Sequence, residues 1–111
     1  MPRPFARRMI GFEPGVTYFK PVGIRISELE EVSLKFDELE ALRLQNVENM
    51  SQESAANKMN ISQPTFHRIL IEARKKITDA LVNGKAIRIE SGNNFQFCEN
   101  KRKKFRRGEF L

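Results

Sequence analysis

The sequence predicts an all-α fold: a small helical domain with a helix-turn-helix, flanked by an irregular basic N-terminal arm and a basic C-terminal tail. Three observations carry that expectation. Apolar residues recur at helical spacing from Phe66 to Leu81, with a cationic face opposite them. Capping and turn residues divide Ser51 to Val82 into two helices with very few residues between. Prolines and glycines crowd positions 1–23, and lysines and arginines crowd positions 101–107. The chain divides accordingly into an arm (1–26), a helix-turn-helix domain (27–90) and a tail (91–111) expected to be disordered.

The arm holds Pro2, Pro4, Pro14 and Pro21 with Gly11, Gly15 and Gly23, a density that interrupts any long helix or strand. Its Arg3, Arg7 and Arg8 are candidates for nonspecific contact with nucleic acid, since basic arms lie along phosphates or enter the minor groove. Phe5, Phe12, Tyr18 and Phe19 suggest instead that part of the arm packs on the domain. Ser27 and Glu30 have capping-box spacing for one helical turn, and Val32 to Phe36 alternate as a short extended piece does.

Asp37 is read as the N-cap of the first helix, with Glu40 three residues on and Leu39, Leu42 and Leu44 as its apolar surface; the helix is expected to end between Asn46 and Asn49. Its acids suit the positive end of a helix dipole better than metal binding or acid–base chemistry, because no His or Cys lies near them in sequence.

Ser51 caps the second helix, Gln52 to Met59, whose Ala55, Ala56 and Met59 face one way. Small residues there allow another helix to cross closely. Asn60 occupies a turn position that asks for a left-handed backbone, which Asn tolerates better than most residues. Ser62 then caps the third helix, with Pro64 in its first turn. Phe66, Ile69, Leu70, Ala73, Ile77, Ala80 and Leu81 share the face for the core. Arg68 and Lys75 lie opposite, flanked by Thr65, His67, Arg74 and Lys76.

That pattern resembles the helix-turn-helix of phage repressors and of region four of sigma factors, with Gln52, Ala56, Ile61, Phe66 and Ile69 at the matching places. In such motifs the start of the second helix touches base edges. The base-reading candidates are therefore Gln63, Thr65, His67 and Arg68, with Gln suited to adenine and Arg to guanine. Ser51, Gln52, Lys58, Ser62 and Lys75 are the candidates for the DNA backbone. The competing interpretation is an ordinary helical hairpin with a solvated basic face.

Asn83 and Gly84 supply a left-handed stop, and Lys85 to Glu90 alternate as a small strand or a strap would. Beyond them, Lys101, Arg102, Lys103, Lys104, Arg106 and Arg107 are candidates for nonspecific affinity for nucleic acid through counterion release, against the alternative of a merely solvated basic tract.

Composition agrees with an acidic partner. The 111 residues carry a net charge of +6, positive at both ends and on the candidate motif, while acids concentrate between positions 21 and 50. A single cysteine, Cys98, excludes an internal disulfide scaffold. No apolar run approaches the ~20 residues of a membrane span, and the N-terminus lacks the apolar stretch of a secretory signal, so a cytoplasmic location is expected.

Beyond these features the chain resembles uncharacterised protein family 0251, small prokaryotic proteins with a predicted sigma-region-four-like helix-turn-helix. The stretches that carry the resemblance are Met1-Pro2-Arg3-Pro4, Phe12-Glu13-Pro14, Tyr18-Phe19-Lys20-Pro21, Leu29-Glu30-Glu31-Val32 and Asp37-Glu38-Leu39-Glu40-Ala41-Leu42-Arg43-Leu44. It continues through Ser51-Gln52-Glu53, Pro64-Thr65-Phe66, Arg68-Ile69-Leu70 and Ala80-Leu81-Val82-Asn83-Gly84-Lys85-Ala86, covering roughly residues 1–92. Gln63 stands where relatives often have Arg, and Asn60 where Gly is usual. Some relatives carry arm cysteines suited to a metal, but Met9, Ile10 and Gly11 offer no such ligands, so no metal or other cofactor is expected.

The resemblance implies a non-enzymatic regulator that binds double-stranded DNA. A homodimer is expected, because one helix-turn-helix covers few base pairs, and Ile71 is a candidate contact. Two alternatives stay open. One is a sigma-like adaptor that binds RNA polymerase or another protein through the acids from Glu28 to Glu40. The other is an RNA-binding module whose Phe- and Arg-containing tail stacks on unpaired bases.

Overall fold

The computed structural model describes residues 7–92, 95–97 and 103–104. In chain order the elements are β1 (Arg8–Ile10), β2 (Phe12–Glu13), β3 (Tyr18–Phe19), a 3-10 turn (Ile26–Glu28), β4 (Glu31–Lys35), α1 (Phe36–Leu42) running into a π turn (Arg43–Val47), α2 (Gln52–Met59), α3 (Gln63–Asn83), β5 (Ala86–Glu90), β6 (Phe95–Phe97) and β7 (Lys103–Lys104).

The expectation of an all-α fold is therefore wrong: the architecture mixes helices with short strands. A three-stranded sheet has the order β3-β5-β4, with β3 antiparallel and β4 parallel to β5. Two parallel pairs, β1 with β6 and β2 with β7, join the N-terminal segment to the segment after Gly92. Strands of two to five residues leave only a faint alternation, and each pairs with a segment far along the chain. Parallel neighbours need a crossover, and between β4 and β5 the crossover is the whole helical unit.

Burial follows the pleat. The paired Leu34 of β4 and Ile89 of β5 are buried, while Lys35, Arg88 and Glu90 on the opposite face are exposed; Ala86, on the face of Arg88, is buried as an exception at the start of β5. Tyr18, Glu31 and Arg88 tie the three strands together across the outer face. The Tyr18 hydroxyl donates to Glu31 at 2.6 Å, and the Arg88 guanidinium donates to both Glu31 oxygens at 3.1 and 3.0 Å. These bonds, Arg88 first, hold the Glu31 carboxyl below its ordinary range.

Helix α3 spans two cores. Its first half puts Phe66 and Leu70 against Ala41, Leu44, Ala55, Ala56 and Met59. Its second half puts Ala73 against Leu34 and Ile89, with Ile77, Ile87, Leu39 and Phe36 around them. Ala55 and Ala56 are fully enclosed, so their small side chains set how closely α2 and α3 approach. Leu81, expected on the core face, is 75% exposed, because the chain turns away at Gly84 before any element covers it.

Helix α1 begins two residues earlier than expected. Lys35 is its N-cap, and the Glu38 carboxylate accepts from the Lys35 N–H at 2.9 Å. The acids of this helix turn inward. Glu40 accepts from the Gly11 N–H at 2.8 Å and from two Arg43 nitrogens at 2.8 Å each. Glu38 receives Lys76 at 2.9 and 3.0 Å, and Asp37 faces Arg8 at 3.3 Å. The N-terminal segment is thus docked on α1 by charge, while Phe36 packs against Phe95 and Phe97 at ring separations of 5.3 and 5.9 Å. No helix of the described residues is long and apolar enough to cross a membrane.

Candidate nucleic-acid interface

The site rests on two caps and one left-handed residue. The Ser51 hydroxyl accepts from the Ser54 N–H at 3.1 Å and opens α2. The helix stops at Asn60, whose φ of 60° and ψ of 44° are left-handed, and the Ile61 N–H closes the stop on the Ala56 carbonyl at 3.0 Å. The Ser62 hydroxyl then accepts from the Thr65 N–H at 3.3 Å and donates to the Thr65 hydroxyl at 2.9 Å, opening α3 with Pro64 in its first turn. Three residues, Asn60 to Ser62, thus separate two capped helices.

The turn fixes the direction of α3, and Phe66 and Leu70 fix its rotation by burial. What is left outside follows from helical spacing. Gln63, His67 and Arg68 are exposed and Thr65 is half-buried. Pro64, Thr65, His67, Arg68, Ile71 and Glu72 line a shallow open concavity along the first three turns. Further along the helix, Arg74 and Lys75 are exposed; Lys58 is exposed on α2. Among the described residues no ion pair within 4 Å engages Lys58, Arg68, Arg74 or Lys75.

Two side-chain contacts shape this surface. His67 Nδ1 lies 3.2 Å from Gln52 Oε1, a bond between the start of α2 and the first turns of α3. A Gln oxygen only accepts, so Nδ1 carries the proton in this pair and a neutral ring keeps Nε2 as an acceptor. One terminal nitrogen of Arg68 is 3.5 Å from the Thr65 hydroxyl, which leaves the rest of the fork free to donate. Chemically the surface offers an amide, an imidazole and a guanidinium at the N-terminal end of a helix, with an excess of cations behind them. Glu72 and Glu53, both exposed, are the opposing charges nearby in sequence.

Not every candidate from the sequence gathers here. Ser51, Gln52, Lys58, Ser62, Gln63, Thr65, His67, Arg68 and Lys75 lie on α2, α3 or their caps. Arg8 is occupied by Asp37 instead, and Arg7 is exposed on the N-terminal segment. Lys103 and Lys104 form β7 beside β2. Arg3, Lys101, Arg102, Arg106 and Arg107 lie outside the described residues. Lys76, read as a flank of the cationic face, is drawn to Glu38. The Gln52–His67 link was not anticipated; its signal was present, since both residues were separately assigned to contacts with one duplex.

Comparison with known proteins gives one consistent result. Residues 1–97 match the family described as "Protein of unknown function DUF134". The UPF0251 protein of Caldanaerobacter subterraneus subsp. tengcongensis is 57% identical over 102 residues, covering 92% of this chain and 86% of its own. The UPF0251 protein of Thermoanaerobacter pseudethanolicus is 53% identical with the same coverage of both chains. That of Moorella thermoacetica is 58% identical over 92 residues, 83% of this chain and 62% of its own. No solved structure matches.

Proposed function

The chain belongs to the DUF134 family, and we propose that α2, its turn and α3 form a helix-turn-helix that binds double-stranded DNA sequence-specifically, making the protein a transcriptional regulator. One observation carries this assignment: the turn and the Phe66 anchor leave Gln63, His67 and Arg68 uncovered at the start of a 21-residue helix, with Arg74 and Lys75 exposed behind them. An α-helix fits the major groove, where Gln63 would pair with adenine and Arg68 with guanine. Thr65 steadies Arg68 and contributes weaker discrimination. Gln52 orients His67 from below, so the imidazole meets the groove already placed.

Backbone contacts would come from the caps and the cations. The free N–H groups of the first turn of α2, beside Ser51 and Gln52, suit a phosphate on one strand. Ser62, Lys58 and Lys75 suit others. The acidic stretch that an adaptor would present to a partner is largely consumed internally, since Asp37, Glu38 and Glu40 are buried and Glu31 is held by Arg88. That leaves duplex binding as the better use of the exposed chemistry.

The test is binding to random duplex DNA across a salt series, followed by sequence selection. Arg68→Ala is expected to cost about 1–3 kcal/mol on a selected site and relax preference at one base pair. Lys75→Ala should weaken all duplexes alike and flatten the salt dependence. Unchanged affinity in both variants would remove the assignment.

A further inference from the structure

A helix-turn-helix needs a second half-site, and the end of the molecule far from Arg68 is unusually apolar. Leu81 and Val82 are 75% and 74% exposed at the end of α3. Phe19 of β3 is about half exposed, and Val22, Ile24 and Ile26 follow in the segment that leads to β4. Topology gathers them. Phe19 pairs with Ile87, Ala86 donates to the Glu30 carbonyl, and Lys85 donates to the Ala80 carbonyl. All three links fall where α3 ends and β5 begins.

Summed over these six residues the exposed area is on the order of 700 Å², near the ~800 Å² that each partner buries in a standard interface.

We propose that this surface, built from Phe19, Val22, Ile24, Ile26, Leu81 and Val82, is where a second copy of the chain docks in a two-fold dimer. Three features select a second copy over other partners. First, the surface is self-complementary. Phe19, Pro21, Ala80, Leu81, Gly84 and Ile87, with Lys20 and Lys85 at its edge, line a groove of about 330 Å³, and Val22, 98% exposed, follows Pro21 as a knob next to Gly23. Knob and groove on one surface suit an isologous contact, in which each feature meets the other across the axis.

Second, the neighbouring charges are balanced: Arg25 pairs with Glu28 and Lys85 with Asp79, while Lys20 and Glu30 add one charge of each sign. With three charges of each sign beside the groove, neither sign is in excess to recruit an oppositely charged partner.

Third, the placement suits a duplex, a point that rests on the DNA-binding assignment. Arg68 and Leu81 are thirteen positions apart on one helix, about 20 Å at 1.5 Å per residue. Two such helices meeting at their C-terminal ends place their Arg68 residues up to ~40 Å apart, and a moderate bend at the axis brings this to the ~34 Å of one DNA turn.

The oligomeric state of the full chain tests this directly. Sedimentation equilibrium should show a dimer. Leu81→Glu and, separately, Val22→Asp should each weaken it by at least a hundredfold while circular dichroism and thermal unfolding remain cooperative. Val22 touches so little of its own chain that its variant reports on association even if Leu81→Glu misfolds. A wild-type chain that stays monomeric at ~100 μM, or a dimer indifferent to both substitutions, overturns the proposal. A dimer lost in both variants that nonetheless binds no duplex upholds the surface and removes the helix-turn-helix assignment.

Discussion

Replacing Glu40 by glutamine should loosen the hold of the N-terminal segment on α1. The Glu40 side chain is 1% exposed and accepts three hydrogen bonds of 2.8 Å, two from Arg43 and one from the Gly11 N–H. Removing one partner of a buried ion pair costs about 3–5 kcal/mol, because a charge is left without compensation. Arg43 limits the loss here. It keeps Glu48 at 3.2 Å and lies over the Phe12 ring at 5.8 Å, so its charge is not stranded. Glutamine retains one acceptor oxygen but sets an NH₂ against a donor.

The expected loss for Glu40→Gln is about 3 kcal/mol, the lower end of that range. Urea unfolding at pH 7 would read it as a fall in midpoint of roughly 1–3 M, given slopes of about 1–3 kcal/mol/M. Combining it with Arg43→Met should recover much of the loss, since an apolar side chain needs no partner. A single-variant loss below about 1 kcal/mol would refute the idea that this pair anchors the segment.

Other outcomes follow from the same geometry. Burial, opposed mainly by Arg8, raises the Asp37 carboxyl above its ordinary 3.8, so its contribution to stability is full below that value and lost as pH rises through the folded one. Asp37→Asn should therefore gain stability relative to wild type as pH is raised from 3 to 7, and a pH-independent difference would contradict this. Asn60→Ala should cost about 1 kcal/mol through its left-handed backbone, whereas Asn60→Gly should be neutral or mildly stabilising in the same melts. Ser62→Ala should cost about 0.5–2 kcal/mol by removing the cap on α3, visible as a lower thermal midpoint.

The parts of the fold that were legible in sequence are those whose causes are local. Ser51, Asn60, Ser62 and Phe66 specify two caps, a turn and an anchor within sixteen positions, and each takes the expected geometry. The strands were not legible for the opposite reason. Glu31 and Arg88 are 57 positions apart, and no short-range pattern records that pairing. The inward turn of Asp37, Glu38 and Glu40 was hidden likewise. Acids at a helix start look solvent-facing until Arg8, Gly11 and Lys76 arrive from distant segments. Of the candidate site residues, those on α2 and α3 came from spacing and the resemblance to helix-turn-helix motifs; the contact of Arg8 with Asp37 could not be read because the two lie 29 positions apart.

The parallel alignment of β4 with β5 also bears on how the chain comes together. Pairing those strands closes the loop from Phe36 to Lys85, an entropic cost that compaction of the intervening helices reduces. The helices can gain contacts early and nearby, and the sheet then zips last. A nascent chain released before Glu90 would hold its three helices with β4 unmatched, an open ribbon edge exposed to other chains until the final strand is made.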